Sequence, residues 1–274
     1  SFAGCMSLTE VNISDSVTKI DEYAFSKCVS IKKIIIPDSV ENISMFAFDG
    51  CSSLEELIMN TDKTIISNQS FNNCPKLEKF YFPKSLSKIN HFQFDVMLPQ
   101  IKYIFIPDSV DTIEDSSFSE CTYIISIDIP ETVTKIGKKS FYGCSSLKKI
   151  NIPNSINKLE ESIFEKCTSL EEIIIPETII TIGSSSFSKC TSLTNITIPN
   201  SVESIGDNSF SQCVNLSRIS FSTSLKSIGD GAFNECYSLS NVTFPDSLVS
   251  IGNQSFSCCE SFTKISIPSA VNNI

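Results

Sequence analysis

The stretch Cys190-Thr191-Ser192-Leu193-Thr194-Asn195-Ile196-Thr197-Ile198-Pro199-Asn200-Ser201-Val202-Glu203-Ser204-Ile205-Gly206 decides the fold. Twenty-three residues before it stands Cys167-Thr168-Ser169-Leu170, and twenty-three after it Cys213-Val214-Asn215-Leu216. The same step runs outward to both ends of the 274 residues. Phenylalanine recurs at Phe2, Phe25, Phe48, Phe71, Phe94, Phe118, Phe141, Phe164, Phe187, Phe210, Phe233 and Phe256, with one step of 24 between Phe94 and Phe118. A fixed period of this length marks a tandem array, whose units bury their apolar sides only by stacking on one another.

Each unit reads C-x-S-L-x-x-I-x-I-P-x-S-V-x-x-I-G-x-x-S-F-x-x. The apolar–x–apolar trio, as in Ile150-Asn151-Ile152, has period two and predicts a short β-strand with one face inward. Proline ends it, because it cannot donate to a further ladder bond. The V-x-x-I step, as in Val202 to Ile205, turns the chain back into the core on the opposite side. Gly137, Gly183, Gly206, Gly229 and Gly252 follow that step and suit a bend or a positive φ. About twelve 23-residue coils with parallel strands are expected, forming one array over 1–274 that is truncated mid-repeat at both ends. On this reading the chain is an excised piece or a processed product. Its two ends either pair with other chains, end to end, or are covered by missing sequence.

The unit resembles the BspA-like leucine-rich repeat family, found in surface proteins of bacteria and of anaerobic protists. The resemblance covers essentially the whole chain. It implies a β-dominated leucine-rich repeat solenoid used for binding and adhesion, and it brings no catalytic residues with it.

Composition narrows the function classes. The net charge is -10 and the sequence pI about 4.7. Residues 1–120 carry ten Lys/Arg against seventeen Asp/Glu, and 121–274 eleven against fourteen, so the acidity is spread along the array. With no basic stripe, neither nucleic acid nor an anionic membrane surface is an expected partner. No apolar run is long enough to span a bilayer, so no direct membrane insertion is expected within this segment.

Departures from the rule are informative. In the fifth unit Met97 replaces Cys, and the stretch from His91 to Ile101 holds the one-residue insertion. It reads either as a tolerated loop change or as a bulge shaping a binding surface. The third unit drifts too, with Asn60 in the proline column and Lys63 in the second apolar column. The middle residue of the trio points away from the core and is polar in most units. In units two to five it is Ile35, Ile58, Tyr81 and Phe105, with Tyr103 alongside and Lys33, Glu56 and Lys79 flanking. An apolar strip rimmed by charge has the composition of a protein-binding patch. Ordinary β-preference for aromatic and branched residues accounts for the same pattern.

Catalysis finds no support. Eleven of the twelve cysteines share one column, three residues after Phe, from Cys5 to Cys259. Metal sites want close pairs with histidine nearby, and His91 is the single histidine. A parallel stack aims these thiols the same way and not at one another, so a ladder of buried, reduced, inert thiols is expected over a disulfide framework. Cys258 lies outside the column and reads as the one exposed thiol; a vicinal Cys258–Cys259 disulfide is the alternative. Pairs such as Glu55-Glu56 read as solvated carboxylates facing opposite ways. No catalytic, cofactor-binding or metal site is expected. Two functions remain: a non-catalytic protein-binding or adhesion module, at the cell surface or extracellular, engaging a protein ligand through an exposed sheet face; or a cytoplasmic scaffold or regulatory subunit of the same architecture, which reduced thiols favour.

Overall fold

The computed structural model describes residues 2–90 and 100–274. The chain forms two compact units, one of Ser1–Ser87, Gln93–Val110 and Ser126–Asp128, the other of Lys88–Phe92, Asp111–Ile125 and Ile129–Ile274.

Most turns contribute a trio strand and a two-residue strand at the V-x-x-I step. In the first unit the trio strands are β2 (Lys33–Ile36), β4 (Glu56–Met59), β6 (Lys79–Tyr81), β8 (Tyr103–Phe105) and β10 (Ser126–Asp128), and the short ones are β1 (Lys19–Ile20), β3 (Asn42–Ile43) and β5 (Ile65–Ile66). In the second unit the trio strands are β12 (Lys149–Ile150), β14 (Glu172–Ile173), β16 (Asn195–Thr197) and β18 (Arg218–Ser220). Its short strands are β7 (Lys88–Ile89), β9 (Thr112–Ile113), β11 (Lys135–Ile136), β13 (Lys158–Leu159), β15 (Thr181–Ile182), β17 (Ser204–Ile205), β19 (Ser227–Ile228) and β20 (Ser250–Ile251). Neighbours pair in parallel at the repeat step, Ile34 with Leu57 and Ile182 with Ile205. Across the insertion the step becomes 24, Lys79 with Tyr103, and the register of β6 and β8 is kept.

The expected count of twelve coils is corrected to about ten. Nine trio strands form among the described residues, and Asn241 adds an isolated bridge to Arg218. The trios Val11-Asn12-Ile13 and Ile265-Ser266-Ile267 form no strand.

Burial follows the alternation: β2 reads exposed, buried, exposed, buried. Val40 and Ile43 of the return step are fully buried, as are Phe48, Phe118, Phe141, Phe164, Phe187, Phe210 and Phe233. Each buried phenylalanine contributes roughly 2–3 kcal/mol by leaving water. Their rings stack from turn to turn, Phe48 on Phe71 at 5.0 Å and Phe210 on Phe233 at 5.1 Å between centroids. Lys63 of the drifting third unit turns out to solvent, while the neighbouring buried Thr64 donates its hydroxyl to the Val40 carbonyl at 2.6 Å.

The thiols are more than small apolar fillers. Cys51 Sγ donates to the Phe25 carbonyl of the preceding turn at 3.2 Å, Cys74 to Phe48 at 3.2 Å and Cys213 to Phe187 at 3.1 Å. Each Phe carbonyl also accepts the amide of the Cys three residues on, as Phe187 does from Cys190 at 3.1 Å. The column therefore wants a side chain small enough to bury and able to donate once, which a thiol is.

Positive φ falls elsewhere than the sequence suggests. None of the five glycines after the V-x-x-I step adopts it; the residues two before and two after Phe do, among them Ser185 (φ 56) and Lys189 (φ 64). The five glycines answer close approach instead. A Cβ on Gly206 would lie 2.6 Å from the Ser184 amide nitrogen of the preceding turn. The segment holding His91, Phe94 and Met97 lies outside the described residues.

Candidate protein-binding face

Strands β2, β4, β6 and β8 set the outward ladder. Ile35 pairs with Ile58, Ile58 with Tyr81, and Tyr81 with Phe105. The four candidates therefore form one row in the first unit, one turn apart, roughly 14 Å long at the usual strand spacing. Ile35 (43%) and Phe105 (42%) at its ends are exposed, while Ile58 and Tyr81, flanked on both sides, are half-buried. The Tyr81 and Phe105 rings stack at 4.3 Å and 6°.

A second row runs beside the first, two residues back on the same strands. Lys33 pairs with Glu56, Glu56 with Lys79, and Lys79 with Tyr103. The Lys79 ammonium meets Glu56 at 3.0 Å, and that hydrogen bond raises the Lys79 pKa. Lys102 and Glu78 pair at 2.6 Å at the corner of the same turns. Exposed pairs like these add little stability; they hold long side chains beside the strip and leave its apolar row open. A groove of about 820 Å³ lined by Val11, Asn12, Ile13 and Pro37 abuts the Lys33 and Ile35 end.

All eight candidates lie in these two rows. The same outward column in the second unit reads Asn151, Ile174, Thr197, Ser220, Thr243 and Ser266. Ile174 is isolated there and highly exposed at 77%. One apolar pair escaped the sequence reading. Tyr23 and Phe46 stack at 5.4 Å and 12° in the first unit, both with positive φ, beside exposed Met45. Its signal was there to find: aromatic residues two before Phe in consecutive turns.

The strip offers apolar and aromatic surface but no nucleophile with a base. Among the described residues no group of three or more His, Cys, Asp and Glu could hold a metal ion. All twelve cysteines are free thiols; Cys5 and Cys258 are exposed and ten are buried. Burial raises the Cys167 and Cys190 thiols well above their ordinary value, Cys213 to about 12 and Cys259 to about 11. Protonated thiols of this kind are poor nucleophiles. No helix among the described residues is long and apolar enough to cross a membrane.

The sequence matches the family described as BspA type leucine rich repeat region, in six copies over residues 1–124, 97–216 and 180–274. A leucine-rich repeat protein from Bacteroides ovatus is similar in structure, with 26% identity, a TM-score of 0.55, and coverage of 100% of this chain and 79% of that one. The Treponema pallidum leucine-rich repeat protein shares the fold at 24% identity and a TM-score of 0.54, over 68% of this chain and 78% of that one. No curated protein matches the chain.

Proposed function

Because this chain belongs to the BspA-type leucine-rich repeat family, we propose that it is a non-catalytic protein-binding module, of the kind used in adhesion at a cell surface, and that it binds through the outward face of β2, β4, β6 and β8. The contiguous row Ile35, Ile58, Tyr81 and Phe105 carries this reading. Four apolar side chains on successive turns, bordered by Lys33, Glu56 and Lys79, give an apolar centre with a charged rim. Aromatic residues at such a centre commonly dominate binding energy. The test is the triple variant Ile58→Ser, Tyr81→Ser, Phe105→Ser. Capture of protein ligands by the immobilised chain should be lost while the unfolding midpoint stays near wild type. Undiminished capture by a folded triple variant would overturn the proposal.

The free, buried thiols favour a second reading, an intracellular scaffold of the same architecture, because thiols persist in reducing compartments. Locating the protein in intact cells by surface labelling separates the two: labelling supports the first and refutes the second.

A further inference from the structure

We propose that the partner of this strip is a second copy of the chain, packed face to face on the same four strands with the order of turns reversed. This rests on the reading above that the strip is a contact surface.

Spacing is the first argument. Turns advance by about 4.8 Å, and the ladder of a second copy advances by the same amount, so the two stay in phase over all four turns. An α-helix laid along the row advances about 5.4 Å per turn and slips by roughly 2 Å over three steps. Alternate residues of an extended strand advance by roughly 6.7 Å and slip further.

Charge is the second argument. Take a twofold axis parallel to the strands, passing between β4 and β6. Ile35 then lies over the other copy's Phe105, and Ile58 over its Tyr81. In the neighbouring row, Lys33-Glu56-Lys79-Tyr103, Glu56 lies over Lys79, and Lys33 over the Tyr103 ring, where a cation is attracted to the aromatic face. Each pairing occurs twice, and no like charges meet within the two rows. The other twofold, which keeps the order of turns, places the charged row over Pro37, Asn60, Pro83 and Pro107 and leaves it unanswered. The strip is thus self-complementary in one arrangement, as an isologous dimer interface must be.

Its size sets the strength. Four turns by four residues of strand cover roughly 250 Å² per copy at standard spacings, against about 800 Å² per partner in stable complexes. The dimer is therefore weak and forms as concentration rises, which suits contacts made many at a time between surfaces crowded with copies.

Sedimentation velocity of the intact chain over a wide concentration range tests this. The weight-average mass should rise from 30.2 kDa towards twice that value and level off there. Glu56→Lys and Lys79→Glu should each need at least about tenfold more protein to associate, because each sets like charges opposite one another. An equimolar mixture of the two should associate again, since every charged pairing between unlike copies is then complementary; the rescue also shows that both variants are folded. Mass growing beyond the dimer would mean stacking through the ends, and would overturn the proposal. So would a mixture that stays monomeric, or association insensitive to both charge variants. If the wild type stays monomeric while the triple serine variant loses ligand capture, self-pairing fails and the contact-surface reading stands.

Discussion

On the outward face of β4, β6 and β8 stand Ile58, Tyr81 and Phe105; on the outward face of β16 and β18 stand Thr197 and Ser220. Behind these faces the two units are alike. Leu57, Phe80 and Ile104 point inward in one, Ile196 and Ile219 in the other, all at least nine-tenths buried. Phenylalanine rings stack and thiols donate to the preceding turn in both. Packing dictates some columns and leaves others free. The inward columns are held apolar by the turns above and below. The outward column is free of that constraint, and it changes from apolar to polar between the two units.

Perturbing the inward columns should hurt either unit alike. The largest effect is expected from alkali. Burial raises Cys213 to about 12 and Cys259 to about 11 against an ordinary thiol near 9. The neutral thiol is the form the fold accepts, so its stability is fully present below pH ~9 and is lost as pH rises through the folded values. Each such thiol costs about 1.4 kcal/mol per pH unit in that window. Several thiols together should unfold the chain by about pH 11, as read by circular dichroism. A protein with unchanged midpoints between pH 8 and 10.5 would refute the thiol ladder.

Next in size is the aromatic spine. Phe48→Ala in the first unit and Phe164→Ala in the second should each cost about 3–5 kcal/mol in denaturant unfolding. A marked inequality would break the likeness of the two cores. Gly206→Ala should cost about 1–3 kcal/mol, because its new Cβ would meet backbone of the preceding turn. The same column holds Asp21, Ser44 and Ser67 in the first unit and Asn90, Glu114 and Glu160 in the second, so close approach sets the demand only at Gly137, Gly183, Gly206, Gly229 and Gly252. The smallest effect is expected at the corners. Lys189 holds φ 64, and Lys189→Gly should gain less than about 1 kcal/mol in thermal unfolding by relieving a left-handed backbone. Destabilisation there would show that the lysine side chain earns its place by contact.

Much of this was legible in the sequence, for physical reasons. A 23-residue period can place Phe164 against Phe187 only if turns stack, and strand alternation sends Tyr81 outward whenever Phe80 goes in. Less was legible at the corners. Positive φ at Ser185 and Lys189 falls on ordinary side chains, and the glycines that mark the same columns, Gly4, Gly50, Gly143 and Gly231, are too sparse to announce it. The thiol bond from Cys213 to the Phe187 carbonyl was hidden as well, since cysteine in a buried column reads as apolar. The frayed trios at Val11 and Ile265 obey the repeat rule in sequence and fail it in structure, because pairing depends on neighbours and not on the unit itself. For the outward row, alternation told which residues face solvent, and no packing rule fixes their chemistry.

The thiols of successive turns point to the preceding turn's carbonyl and form no covalent bond between turns. Among the described residues the turns are held by hydrogen bonds, side-chain packing and surface ion pairs such as Lys79–Glu56. Under tension the protein should peel away one coil at a time, each release paying out 23 residues, or roughly 80 Å of slack. A stack built this way would act as a series of mechanical fuses, lengthening under load one turn at a time.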